Sequence, residues 1–152
     1  MKRLLYKYVL LLSLGLCLSS YRLQAQEGLQ ISTLFEKYGD RQNVTMVERN
    51  GKILKSYKMS KYRSLVFKDV TPYLAEIQKC LKHDKEQPGQ VNKTQEVMED
   101  GILRSAYYQL HPSDGKQRYI IFKLGKKNTA TLVYIEGSLN EEELMNMLYK
   151  EQ

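Results

Sequence analysis

The sequence predicts an α+β fold, in which an antiparallel sheet of about five to six strands carries two amphipathic helices on one face, with a short N-terminal helix nearby. Between residues 91 and 135, strand-like stretches alternate with short turn signals, a pattern typical of an antiparallel meander. Apolar residues recur at helical spacing before and after that region. An approximate internal repeat superposes the stretch from Val66 on the stretch from Val133, and it favours placing both helices on the same face.

The N-terminal segment has the pattern of a secretory signal peptide. Lys2 and Arg3 precede an apolar run over residues 9–18, and a more polar stretch then leads to Ala25. A run of about ten residues is too short to span a bilayer, which takes roughly 20. We therefore predict an exported protein with a Sec-type signal peptide at residues 1–25; an uncleaved membrane anchor is the weaker alternative.

Cleavage before Gln26 would leave one α+β domain at residues 26–152, with no transmembrane span. Residues 1–25 hold four of the 24 basic residues and no acidic one, so 20 basic residues face 17 acidic ones and the formal charge falls from +7 to +3. This modest excess argues against nucleic acid as a partner. Cys80 would be the only remaining cysteine, so the fold would depend on its hydrophobic core rather than on an internal disulfide.

The first half of the domain predicts one helix and a hairpin. Apolar residues spaced for a helix cover residues 29–38, and Gly39 is a common terminating residue. Asn50-Gly51 is a pair favoured in tight hairpin turns. Strands are predicted on both sides of that pair and once more before the next helix, at residues 44–49, 52–57 and 62–68.

The second half predicts two helices around the meander. Thr71-Pro72 supplies a cap and a first-turn proline for a helix whose apolar stripe includes Cys80. The last helix is expected to begin with a capping box formed by Ser138 and Glu141. Between the two helices, strand patterns separated by turn residues lie at residues 94–98, 102–110, 118–124 and 129–135.

No arrangement of nucleophiles, acids or metal ligands predicts an enzyme. His83 and His111 are the only histidines, and neither has the spacing of a metal site or a catalytic triad. Cys80 lies on an apolar helix stripe, where a small buried residue is expected. We therefore expect no catalytic residue, cofactor or metal; a small hydrolase-like enzyme is the least favoured alternative.

The most suggestive surface feature is a basic stretch with interleaved tyrosines and no acidic residue between Gly51 and Lys68. Basic and aromatic side chains together can bind phosphate groups or polyanionic glycans. The alternative is an edge strand whose lysines prevent aggregation, or which adds to a partner's sheet. The candidate ligand-binding residues, here called the basic segment, are Lys52, Lys55, Tyr57, Lys58, Lys61, Tyr62 and Arg63.

Three strings stand out for a different reason: Leu-Phe-Glu-Lys-Tyr-Gly at residues 34–39, Val-Thr-Met-Val-Glu at residues 44–48 and Leu-Val-Tyr-Ile-Glu-Gly at residues 132–137. Together with Gln-Ala-Gln around the predicted cleavage point, they resemble small exported Bacteroidetes proteins grouped as a domain of unknown function. The resemblance covers nearly the whole mature chain. It implies a location in a Gram-negative envelope and no particular activity.

These observations predict a non-catalytic binding or interaction module in the periplasm or associated with the outer envelope. The expected partner is an envelope protein or an anionic envelope glycan or lipid. A structural subunit that contributes an edge strand to an envelope assembly is the alternative.

Overall fold

The structure is a computed structural model that describes residues 28–150. Its strands are β1 (Val44–Asn50), β2 (Met59–Phe67), β3 (Val91–Glu99), β4 (Ile102–Ser113), β5 (Lys116–Leu124) and β6 (Ala130–Gly137). Its helices are α1 (Ile31–Tyr38), α2 (Leu74–Glu86), α3 (Glu141–Lys150) and a 3₁₀ helix (Gly51–Tyr57). Antiparallel pairing connects the six strands into one sheet, in the order β1-β2-β6-β5-β4-β3.

The predicted α+β class is confirmed, and the described residues form a sheet of six strands. The meander from β3 to β6 follows from local turn chemistry. Asp100 and Gly101 have φ angles of 51° and 74°, and Asp114 and Gly115 have φ angles of 51° and 71°. Such paired positive φ angles are favoured in two-residue hairpins of twisted strands. The predicted signal peptide and its cleavage point lie outside the described residues.

Side chains of β6 alternate between two hydrophobic cores, one on each face of the sheet. Leu132 and Tyr134 belong to the core beneath α1 and α2, whereas Val133 and Ile135 belong to the core beneath α3 and the 3₁₀ helix. All four side chains are buried. A strand buried on both faces needs apolar residues at consecutive positions, which explains the uninterrupted run Leu-Val-Tyr-Ile.

The two later helices therefore lie on opposite faces, and the prediction that they share one face is wrong. Ile77 of α2 packs in the first core, and Leu144 of α3 packs in the second. The internal repeat matched the spacing of apolar residues along each helix. That spacing is the same whichever face the helix covers, so it carries no information about the side of the sheet.

The first face is covered by α1 and α2. Phe35 of α1 and Ile77 and Leu81 of α2 are essentially inaccessible to solvent. Asp84, near the end of α2, is also fully buried and accepts hydrogen bonds from the backbone N–H groups of Gln30 and Ile31. Burial raises the pKa of the Asp84 carboxyl, and these two donors oppose that rise.

The predicted return strand at residues 52–57 is wrong, because this stretch forms the 3₁₀ helix. Asn50 has an extended backbone, with φ −136°, so Asn50-Gly51 does not form the predicted two-residue turn. The chain instead buries Leu54 against the second core and ends the 3₁₀ helix at Lys58, whose φ is 56°. Burial of one apolar side chain outweighs the local turn preference of the Asn-Gly pair.

Two predicted helix starts are also displaced. The capping box of α3 consists of Asn140 and Glu143: Asn140 Oδ1 accepts from the Glu143 N–H at 2.9 Å, and Glu143 Oε2 accepts from the Asn140 N–H at 2.8 Å. Ser138 instead donates its backbone N–H to the Lys58 carbonyl at 2.9 Å. Similarly, α2 begins at Leu74 rather than at Pro72, which lies in the preceding turn.

Candidate functional site

Cover of the second face is incomplete. Six strands about 4.8 Å apart span about 24 Å, whereas one helix with its side chains is about 10–12 Å wide. Within residues 28–150, two α-helices cover the first face, whereas the second face has only α3 and the short 3₁₀ helix. The sheet is therefore open on both sides of α3.

The opening between the 3₁₀ helix and α3, here called the groove, has an apolar interior. It encloses about 270 Å³. Its floor is formed by β2 and β6, because successive side chains of each strand point to opposite faces of the sheet and one set points towards α3. The apolar lining comes from the 3₁₀ helix, the two strands and α3, and comprises Leu54, Met59, Val133, Ile135, Met147 and Leu148.

Arg49 stands at the outer end of the groove. In the sheet register Arg49 of β1 is opposite Tyr62 of β2, Tyr62 is opposite Ile135 of β6, and Ile135 is opposite Tyr119 of β5. Directly opposite residues project from the same face, so a row of side chains leads from the edge of the sheet towards its centre. The row begins with a cation and continues with tyrosine and aliphatic groups.

The Arg49 side chain is exposed and has no salt bridge or side-chain hydrogen bond within residues 28–150. The neighbouring acid, Glu48, lies 3.5 Å from the Arg63 guanidinium instead. Tyr57 and Tyr62 complete the rim of the groove. The arrangement places an uncompensated positive charge beside an apolar cleft, which suits a ligand that has an anionic group and an apolar part.

The structure divides the basic segment between the two faces of the sheet. Tyr57 and Tyr62 line the groove, and Lys52 and Lys55 are exposed on the 3₁₀ helix, which forms one of its walls. Arg63 projects from the opposite face, where its guanidinium lies 4.6 Å from the centre of the Phe35 ring.

Lys61 alternates with Tyr62 along β2 and so shares the Arg63 face. Lys58 forms a salt bridge with Glu143 of α3, and this interaction, together with the capping hydrogen bond from Asn140, holds the pKa of Glu143 below its usual value. The ion pair links the end of the 3₁₀ helix to the start of α3. It therefore bridges the two groove walls at an exposed position.

The two histidines, the cysteine and the acidic residue Glu96 each have an environment that fits a structural role. His83 lies beside Gln87 on the exposed side of α2, and His111 is exposed on β4. Cys80 is buried, as predicted, and burial raises the pKa of its thiol. Glu96 accepts hydrogen bonds from Lys85 and Tyr108. Within residues 28–150, no cluster of three or more histidine, cysteine or acidic residues could hold a metal ion.

A second opening lies on the other side of α3, over β4 and β5, and also encloses about 270 Å³. Val97 and Tyr149 at its rim are 58% and 70% exposed. Its border includes Glu96 and Lys123, which carry opposite charges, and Glu96 is already paired with Lys85. With Glu96 paired, Lys123 is an exposed cation without a salt bridge within residues 28–150. This opening differs from the groove in its more polar border, to which Gln95, Glu96 and Ser105 contribute.

Sequence reasoning missed Arg49 and every apolar residue of the groove. One available signal was the uninterrupted apolar run of β6, since Val133 and Ile135 alternate with Leu132 and Tyr134 and must face a second layer. Arg49 could be assigned to the site only through the strand register, which its own sequence neighbourhood does not specify.

Within residues 28–150, no helix has the length and apolar character needed to cross a membrane. A family model described as a family of unknown function (DUF6108) matches residues 18–148. Neither the curated proteins nor the solved structures contain a match to the chain.

Proposed function

The chain belongs to this family of unknown function, DUF6108, and we propose that it is an exported, non-catalytic binding module whose ligand surface is the groove. The observation that carries the proposal is an apolar cleft left open between the 3₁₀ helix and α3, with the unpaired Arg49 at its rim. Apolar clefts with few polar groups are the usual form of small-ligand sites.

The export part of the proposal rests on residues 1–25. The basic start, short apolar run and Ala25 support a cleaved Sec-type signal, and the resemblance supports a Bacteroidetes origin. A mature protein of this kind would act in the periplasm or at the outer envelope. Anionic lipids and glycans of the envelope are then its expected partners, since both carry negative charge that can pair with the Arg49 guanidinium.

The proposal that the module is non-catalytic rests on the burial and the hydrogen bonds of its reactive side chains. Cys80 is buried in the core, and the carboxylates of Glu76, Glu96 and Glu143 accept hydrogen bonds from nearby tyrosine, lysine or backbone donors. A general acid or base must reach a substrate held in a cleft. The groove lining instead contains apolar residues, two tyrosines and Arg49.

The edge-strand alternative is weaker, because its predicted edge is internal. β2, which holds the second half of the basic segment, lies between β1 and β6. The outer strands are β1 and β3. The ladder of β3 with β4 is irregular near Val91 and again between Val97 and Met98, and Lys93 and Glu96 are charged and paired. Bulges and charges of this kind protect an edge from further pairing.

The test is binding of an uncharged fluorescent dye that responds to apolar surroundings, using a chain of residues 26–152 that contains the whole described fold. Met147→Glu would place a carboxylate in the groove, whereas the matched Met145→Glu places it on the same helix beside the second opening. We expect Met147→Glu to abolish dye binding and Met145→Glu to retain it, with circular dichroism confirming that both fold. Retention by both variants, or no dye binding by the unmodified chain, would contradict the groove as the ligand surface.

A further inference from the structure

The shape of the groove restricts the apolar part of its ligand. Its volume of about 270 Å³ lies just below the roughly 300–1,000 Å³ range of small-molecule sites. The row from Tyr62 to Ile135 gives it a direction, from the outer strand towards the centre of the sheet. An apolar site of this small volume fits a single alkyl chain better than a two-chain lipid.

The wall residues suit a flexible chain. Met59 and Met147 contribute unbranched, polarizable side chains that adapt to an irregular apolar surface. Val133 and Ile135 are buried and supply a fixed floor. A glycan would require several convergent hydrogen-bonding groups, whereas the polar groups of the lining are two tyrosine hydroxyls and the Arg49 guanidinium.

The charge around the groove restricts the polar part of the ligand. Arg49 is exposed and has no charged partner among the described residues, and Lys52 and Lys55 on the adjacent helix are also exposed. Two acids of the described residues on the flanking elements are paired, Glu48 of β1 with Arg63 and Glu143 of α3 with Lys58. The outer end of the groove therefore has a net positive field, and a guanidinium matches the planar, bidentate geometry of carboxylate and phosphate oxygens.

We propose that the groove binds a single-chain anionic amphiphile, with its alkyl chain on the floor formed by β2 and β6 and its carboxylate or phosphate headgroup on Arg49. This inference rests on the proposed function and names its ligand class. The proposed occupant is a monomeric molecule held between the 3₁₀ helix and α3, not a bilayer surface. An acyl carboxylate from an envelope lipid has this chemistry.

The experiment compares decanoate with 1-decanol, which has the same chain length and no charge, by titration calorimetry at concentrations where both are monomeric. We expect decanoate to bind about tenfold more tightly, the scale of one charge-assisted hydrogen bond partly screened by solvent. Arg49→Gln should remove this preference, so that decanoate and 1-decanol bind the variant with similar affinity. Arg41→Gln, which changes an exposed arginine in the turn after α1, should retain it.

Equal affinities for decanoate and decanol, or an unchanged preference in Arg49→Gln, would overturn the headgroup assignment. If the uncharged dye binds the groove and neither decyl compound displaces it, the proposed function stands and the ligand class is wrong. Absence of both dye and decyl binding would refute the two together. Binding to vesicles of anionic phospholipid without binding of monomeric decanoate would also overturn the inference, in favour of a membrane-surface protein.

Discussion

Asp84 caps a helix other than its own, because its Oδ2 atom accepts a hydrogen bond of 3.0 Å from the backbone N–H of Ile31, the first residue of α1. A helix start is normally capped by the side chain of the residue immediately before it. That residue, Gln30, makes no side-chain cap and instead donates its own N–H to Asp84 Oδ1 at 2.6 Å. The position of α1 on the sheet therefore depends on α2.

Removing this carboxylate should destabilise the whole domain. We expect Asp84→Ala to lower the free energy of unfolding by about 1–3 kcal/mol, because two N–H groups lose their acceptors in a buried position. Asp84→Asn, which keeps one amide oxygen, should have an intermediate effect. Urea unfolding measures both. Asp40→Ala, at an exposed position just after α1, is the control, and a loss as large as that of Asp84→Ala would contradict the capping role.

Glu76 gives the domain a defined acid sensitivity. Hydrogen bonds from the Tyr38 hydroxyl and from Lys37, whose Nζ lies 2.9 Å from Glu76 Oε1, hold the pKa of this carboxyl below its ordinary value. A folded pKa below the unfolded value contributes stability that is present above the unfolded pKa and is lost as the pH falls through the folded pKa. The affected window therefore lies below about pH 4.3.

We expect Glu76→Gln to lower the denaturant concentration at the midpoint of unfolding at pH 7. In this acidic window, the midpoint of the variant should fall less with decreasing pH than that of the unmodified chain. Chemical unfolding at pH 7 and at pH 3 provides the comparison with the unmodified chain. Glu36→Gln, at an exposed site on α1, is the matched control. If Glu76→Gln and the unmodified chain lose the same stability between the two pH values, the ionised contact between α1 and α2 contributes nothing.

The capping box observed in α3 and the one predicted from the sequence use different residues, so substitutions distinguish them by the stability that each removes. Asn140→Ala removes the acceptor of the Glu143 N–H and should cost about 0.5–2 kcal/mol, the usual range for an N-cap. Ser138→Ala should cost less, because the hydrogen bond from the Ser138 hydroxyl to the Lys58 carbonyl oxygen is long, at 3.5 Å, and therefore weak. Thermal unfolding of the two variants decides between them. A larger loss in Ser138→Ala would favour the capping box expected from sequence.

Elements that follow from strong periodicity could be predicted from the sequence. The stripe that includes Ile77, Cys80 and Leu81 became the buried side of α2, and the helix predicted before Gly39 corresponds to α1. Gly39 has a specific structural role: a Cβ there would lie 2.6 Å from the Met46 sulfur and 2.7 Å from the Phe35 carbonyl oxygen. This close approach joins the end of α1 to β1.

Features that depend on contacts distant in sequence were not predictable. The 3₁₀ helix exists because Leu54 reaches the second core, which outweighs the turn preference of Asn50-Gly51. Similarly, Tyr62 and Arg63 are neighbours in sequence but project from opposite faces of β2. A list of basic residues along the chain could not separate them, and it could not pair Arg49 with Tyr62, because that pairing requires the strand register.

The unequal cover of the two faces also has a consequence for how this architecture can diversify. One face is closed by a pair of helices that fix each other, so changes there threaten folding itself. The other is bordered by a seven-residue 3₁₀ helix and a ten-residue terminal helix. Exchange of these two short pieces would reshape the cleft without redesigning the sheet, so a common framework could serve different small molecules.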